Sequence, residues 1–382
     1  MSMERDMSIL PNVSGSQHRT PSDRGKARGL GRESYRAIEL YSPDRAPCRI
    51  DLSDNTNCWG IAPAVEEALR DASVPVVTRY PNLYAASLKD ALARYLGVTA
   101  ERIVTGCGSD DILDSAIRAF AEPGDAIACP DPSFAMIPIF ARMNGLSPVT
   151  VPLTPSLDVD ADAMLATNAR IMYLCSPNNP TGASLSRSAI ERVVERAPGI
   201  VIIDEAYAEF ASVDLSPIAL ANERVLVART MSKAFGLAGL RVGYATGAPA
   251  LVSEVEKSRG PYKVSALAER AALAALGDGL QWARDHVTEA IEHRARLADE
   301  LAKRGFAPIR SDANFVLVPV SHANARARHM RTLGVAVRPF EGVSPVTDSL
   351  RATGGSALRI SVGPWEMIEA ALAALDATTA DA

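Results

Sequence analysis

A chain of 382 residues with 47% apolar and 22% charged side chains has material for a sizeable core and for two domains rather than one. A net charge of -5 without a concentrated basic face argues against nucleic acid as a partner, and no apolar stretch nears the roughly 18 residues of a membrane span. Cys48, Cys58, Cys107, Cys129 and Cys175 form no Cys-x-x-Cys, and the five histidines lack ligand spacing, so neither a disulfide framework nor a metal site is expected.

In chain order, residues 1–32 are rich in Ser, Arg, Gly and Asp and lack the apolar core of a secretory signal. They are read as a flexible extension of a cytoplasmic protein. A mixed segment then leads to Asn55-Thr-Asn-Cys-Trp-Gly60, and Pro63 opens a helix running to Arg70. Between Ile103 and Ala245 short apolar runs alternate with helical patterns. The runs are 103–105, 126–129, 148–151, 170–175, 199–203, 224–228 and 242–245. This predicts an α/β fold whose mainly parallel sheet is flanked by helices. After Ser265 two long helices are predicted over 266–276 and 281–303. A smaller α+β unit follows, with strands at 315–318 and 358–362 and a closing helix at 365–375. The domain change is placed near residue 262.

Three segments sit just beyond three of those runs: Ser176-Pro-Asn-Asn-Pro-Thr-Gly182, Asp204-Glu-Ala-Tyr207, and Thr230-Met-Ser-Lys-Ala-Phe-Gly-Leu-Ala-Gly-Leu-Arg241. In an open α/β sheet that end of the strands is where ligands bind. Together they carry what a pyridoxal 5'-phosphate enzyme needs. Lys233 is the amine for the aldehyde and the proton shuttle, and Asp204 is a carboxylate for the ring nitrogen. Asn179 offers an amide to the phenolic oxygen, which Tyr207 also reaches. Plainer roles stand beside these: a surface lysine, a helix N-cap, a turn asparagine and a core tyrosine. The run Thr105-Gly-Cys-Gly-Ser-Asp-Asp111 follows a strand and opens a helix, so the N–H groups of Ser109 and Asp110 suit an anion. Ser232 and Arg241 add a hydroxyl and a planar donor fork. Phe134 is either a ring-stacking aromatic or part of the core.

With these motifs the chain resembles the fold-type I aminotransferases of class I/II, over roughly residues 51–362. Within them the histidinol-phosphate aminotransferases are most similar. The resemblance implies that Lys233 carries the cofactor, Asp204 meets the pyridine nitrogen, and Asn179 and Tyr207 meet the phenolic oxygen. Ser109, Asp110, Ser232 and Arg241 are implied to hold the phosphate. Arg359 and Arg338 are implied to bind substrate anions, with Asn57 and Tyr41 also on the substrate side. Tyr80 is implied to reach the cofactor phosphate of a neighbouring subunit, which requires a homodimer with shared active sites. The same resemblance implies an arm at 33–51 packing with the small domain, a cofactor-binding large domain at 52–262 and a small domain at 263–382.

The implied partners are a small-molecule amino donor and a 2-oxo acid such as 2-oxoglutarate, with a place in histidine biosynthesis. Cys58 and Trp59 depart from the family's pattern in a loop expected close to substrate. The stretch 339–357 is longer than usual, and its composition predicts an irregular loop. A decarboxylase, lyase or oxidase would use the same cofactor motifs. A cofactor-sensing transcription regulator would need a DNA-reading domain, for which the segment before Ile50 is too short.

Overall fold

The computed structural model describes residues 31–32, 35–36, 38–40 and 46–378. The extension expected over 1–32 lies, apart from Gly31 and Arg32, outside the described residues, and so does Tyr41. The Tyr35 N–H donates to the Arg32 carbonyl at 3.0 Å and the Ile38 N–H to the Tyr35 carbonyl at 3.1 Å. The described residues 46–378 form one compact unit. Among the described residues no helix is long and apolar enough to cross a membrane.

Among its described residues are eleven strands: Ile50–Leu52 (β1), Ile103–Cys107 (β2), Ala126–Asp131 (β3), Ser147–Pro152 (β4), Ile171–Cys175 (β5), Ile200–Asp204 (β6), Val225–Thr230 (β7), Val242–Gly247 (β8), Phe315–Pro319 (β9), Val335–Phe340 (β10) and Ala357–Ser361 (β11). Seven form a sheet in the order β2-β8-β7-β6-β5-β3-β4. All of its pairings are parallel except those that β8 makes with β7 and β2. The other four form a sheet in the order β1-β10-β11-β9, where β1 runs parallel to β10 and the remaining pairs are antiparallel.

Both faces of the large sheet are covered, which explains why its strands read as continuous apolar runs rather than alternating ones. On β6, Ile200 and Ile202 face one apolar cluster while Val201 and Ile203 face another. On β7, Leu226 and Ala228 follow the first pair, and Val225 and Val227 the second. The helices Gly108–Phe120 and Pro249–Lys257 contribute Ile112, Ile117, Leu251 and Val255 to the first cluster. A third cluster joins the four-stranded sheet to the helices Ala266–Leu276, Leu280–Lys303 and Trp365–Asp376.

Two features differ from the sequence-based expectation. Residues 335–340 form a full strand although Pro339 lies in it. The stretch expected as an irregular loop contains the helix Asp348–Ala352, started by Thr347, whose side chain accepts from the Leu350 N–H.

Candidate active site

The parallel register of β5, β6 and β7 sets Cys175 beside Asp204 and Asp204 beside Ala228. The three motif-bearing loops therefore leave adjacent strand ends.

Asp204 closes β6 and is only 3% exposed. Its carboxylate accepts from the Tyr173 hydroxyl (2.8 Å) and from the Ala206 N–H (3.1 Å). Both donors are neutral, and burial pushes the Asp204 carboxyl up to about 6. A cation placed against it would restore the charged form, and a protonated pyridine nitrogen is such a cation.

Lys233 follows β7 on the loop Met231 to Arg241 and is half-buried. Its Nζ donates to the Asp54 carbonyl at 3.2 Å and lies 5.8 Å from the Tyr207 ring centre. Burial first, and then the Arg359 guanidinium, pushes the Lys233 amine down to about 8. A neutral fraction far larger than an ordinary lysine has at neutral pH suits a nucleophilic or proton-shuttling amine.

Asn179 and Arg359 meet directly, although sequence reasoning assigned them to different ligands. Arg359 Nη1 donates to Asn179 Oδ1 (2.7 Å), and Nη2 donates to the Ser53 carbonyl (2.9 Å). Fixing Asn179 Oδ1 as an acceptor fixes which side-chain atom is left as a donor. The guanidinium carbon lies 5.2 Å from the Phe315 ring centre and 5.4 Å from that of Phe340. Arg338 is the register partner of Arg359 across β10 and β11. Tyr207 is buried, its ring edge-on to Phe315 at 5.2 Å, and its hydroxyl accepts from Asn55 Nδ2 at 3.0 Å.

The glycine-rich turn is shaped as an anion cradle. Gly108 has φ +79°, and a Cβ there would come within 2.4 Å of Arg241 Nη2. Gly243 on β8 packs against the same turn, where a Cβ would lie 2.2 Å from the Gly108 carbonyl carbon and 2.3 Å from the Ser109 nitrogen. Arg241 also pairs with Asp110 (3.3 Å), and Ser232 accepts from the Thr230 hydroxyl (2.9 Å). Asp111 secures the turn by accepting from the Cys107 N–H at 3.1 Å and pairing with Lys263 at 2.9 Å. A phosphate fits this donor set: a helix N-terminus, a guanidinium and a hydroxyl around backbone without side chains. The ring-nitrogen carboxylate, the amine and the cradle together fit pyridoxal phosphate.

The other expected positions have the following surroundings. Asn57 donates to the Ala234 carbonyl (3.0 Å) and accepts from the Trp59 N–H (2.9 Å), so it braces the lysine-bearing loop. The Trp59 ring stacks on His293 and meets His286 edge-on, both on the helix Leu280–Lys303. Cys58 sits against Gly363. Phe134 is half-buried and packs against the cluster that contains Tyr173 and Cys175. Tyr80 is 83% exposed and stacks on Tyr262 at 4.9 Å.

Sequence reasoning missed three supporting residues: Tyr173 under Asp204, Asn55 on Tyr207, and Ser361, which receives the Asn55 N–H at 2.9 Å and donates to its side chain at 3.1 Å. A polar-tipped tyrosine in the apolar β5 run was the one local signal for any of them.

Comparison with known proteins gives a consistent picture. The family model for aminotransferases of class I and II matches residues 49–375. A histidinol-phosphate aminotransferase of Caldanaerobacter subterraneus is 35% identical over 86% of this chain and 94% of its own. An aromatic amino acid aminotransferase of Rhodococcus jostii is 36% identical over 91% of this chain and 96% of its own. Among solved structures, histidinol-phosphate aminotransferase from Sinorhizobium meliloti in complex with pyridoxal-5'-phosphate has a TM-score of 0.81. It shares 26% identity and covers 91% of this chain and 96% of that one.

Proposed function

Because the chain belongs to the class I and II aminotransferases and is a pyridoxal phosphate-dependent transaminase, we propose that it moves the amino group of histidinol phosphate, or of a donor of that kind, to 2-oxoglutarate. The observation that carries this reading is that Arg359 bonds Asn179 and also lowers the Lys233 amine, while Asp204 pairs with β7, whose end leads into the Lys233 loop. Relatives named for histidinol phosphate supply the donor. An aromatic amino acid is the second reading, supported by the similarly close aromatic aminotransferases.

In this reading Lys233 holds the cofactor and its Nζ carries the proton that leaves the substrate α-carbon. Asp204 holds a ring-nitrogen proton, and Asn179 with Tyr207 hydrogen-bonds the phenolic oxygen. Ser109, Asp110, Ser232 and Arg241 would hold the phosphate, and Phe134 would pack on the ring. When bound, pyridoxal phosphate supplies an electrophilic carbon and a ring that accepts the electron pair released at the α-carbon. Arg359 and Arg338 orient the carboxylate or phosphate of each substrate by charge and by paired hydrogen bonds. Transfer proceeds in two half-reactions, so donor and acceptor use the same anion site in turn.

The reading extends to a cytoplasmic homodimer with a cofactor domain at 52–262 and a small domain at 263–382. The exposed Val74, Val77, Tyr80 and Leu83, with Tyr262 beside Tyr80, support a subunit interface that brings Tyr80 to the partner's site. Rapid mixing of the holoenzyme with single donors tests the substrate. Histidinol phosphate should bleach the visible cofactor band faster than phenylalanine or tyrosine does. An unchanged spectrum with histidinol phosphate, alongside rapid bleaching by phenylalanine, would reverse the order of the two readings.

A further inference from the structure

Residues 341–356, between β10 and β11, are folded rather than slack. The Val343 N–H donates to the Gly355 carbonyl (2.9 Å) and the Gly355 N–H to the Leu350 carbonyl (2.8 Å). Val343 and Leu350 are buried in the cluster that contains Leu153 and Leu157 beyond β4 and Leu317 of β9. The segment thus bridges the two sheets by apolar burial. One polar contact adds direction: the Ser344 hydroxyl donates to Asp131 Oδ2, at the end of β3.

Both roots of this bridge reach the site. Past Asp131, the Pro132 carbonyl accepts from Asn178 Nδ2 (3.0 Å), and the Ser133 hydroxyl donates to Asn178 Oδ1 (2.8 Å). The contact therefore lands on the stretch that carries Phe134 and is tied to the turn carrying Asn179. At the other root, Phe340 lies against the Arg359 guanidinium. A shift of the segment would move an aromatic flank of the anion site and the Phe134 loop together.

We propose that Ser344 is a specificity-determining positioning residue, whose bond to Asp131 holds residues 341–356 as the wall limiting how bulky an amino donor enters beside Arg359. The inference rests on the aminotransferase reading. A hydroxyl bonded to a carboxylate is a charge-assisted contact, and losing it loosens the hold on the wall.

The test uses holoenzyme, with Ser344→Ala, Ser344→Thr, Asp131→Ala and the double alanine variant. Two quantities are measured: hydrogen–deuterium exchange over residues 341–356, and kcat and KM for alanine, phenylalanine and histidinol phosphate. In Ser344→Ala, exchange should rise in the segment. The ratio of kcat/KM for the bulky donors to that for alanine should rise about three- to tenfold, mostly through KM, and a fall would overturn the proposal. Threonine, which keeps the hydroxyl, should restore both. Asp131→Ala should match Ser344→Ala, and the double variant should add nothing. Faster exchange with an unchanged donor ratio would make the contact merely structural and overturn the proposal, as would unchanged exchange. A wild-type enzyme that transfers an amino group from none of the three donors would instead remove the reading beneath it, a separate and recognisable failure.

Discussion

At the ends of β6 and β7, burial displaces ionisation: the Asp204 carboxyl is raised to about 6 and the Lys233 amine lowered to about 8. Along β10 and β11 the charged groups are the guanidinium groups of Arg338 and Arg359, and Arg359 is held by carbonyl and amide oxygens and flanked by Phe315 and Phe340. The seven-stranded sheet thus supplies groups that exchange protons, and the four-stranded sheet supplies fixed charge. The pH dependence should accordingly belong to one sheet and the anion affinity to the other. The two are not wholly separate, because Arg359 is itself one cause of the low Lys233 value.

The strongest way to break this division is Lys233→Ala. Turnover should fall at least about a thousandfold, and the visible band of lysine-bound cofactor should vanish from the purified protein. Transamination at the wild-type rate in that variant would refute the assignment.

Asp204→Asn comes next, with an expected loss of about a hundredfold in turnover. It should also stabilise the cofactor-free protein. Because the folded-state pKa of Asp204 is raised, the protonated acid is favoured in the fold. Stability from this group is fully present below about pH 4 and is lost as pH rises through about 6. At pH 8 the asparagine variant should therefore gain about 1–3 kcal/mol in urea unfolding, and the gain should shrink toward pH 4. A gain that does not depend on pH would contradict this account.

Arg359→Leu should raise KM for 2-oxoglutarate about 30- to 100-fold with a smaller loss in kcat. In the cofactor-free protein it should also move the titration of Lys233, followed by amine-directed labelling, to higher pH. Labelling that titrates as in the wild type would mean that the two sheets are electrostatically independent. The smallest effect is expected from Trp59→Phe. Its ring faces His286 and His293, so donor KM values should stay within about twofold, with a stability loss of about 1 kcal/mol. A large change in donor preference would return Trp59 to the substrate side.

What could be read in advance follows from where each constraint acts. Lys233, Asp204, Asn179 and the turn at Gly108 lie in local runs whose residue types follow a buried strand, so the motif and its place on the sheet were legible together. Tyr173 and Asn55 act on partners brought close only by folding: one hydroxyl crosses from β5 to β6, and one amide reaches from the loop after β1 to Tyr207. No local spacing encodes such pairs. The strand at 335–340 was hidden by Pro339, since proline argues against a strand interior. Residues 341–356 looked irregular because their glycines and Pro345 speak for turns, whereas the burial of Val343 and Leu350 depends on a remote cluster.

The contact between Gly243 and Gly108 has a consequence for how this molecule can vary. The single antiparallel strand of the large sheet touches the anion turn through bare backbone, so the two share one interlock with no side chain to cushion it. Even a methyl group at position 243 would displace the Ser109 amide, and the error would pass undamped to whatever anion rests there. The strand that reverses direction therefore acts as a calibrating stop for the turn, and the two are expected to drift only as a pair.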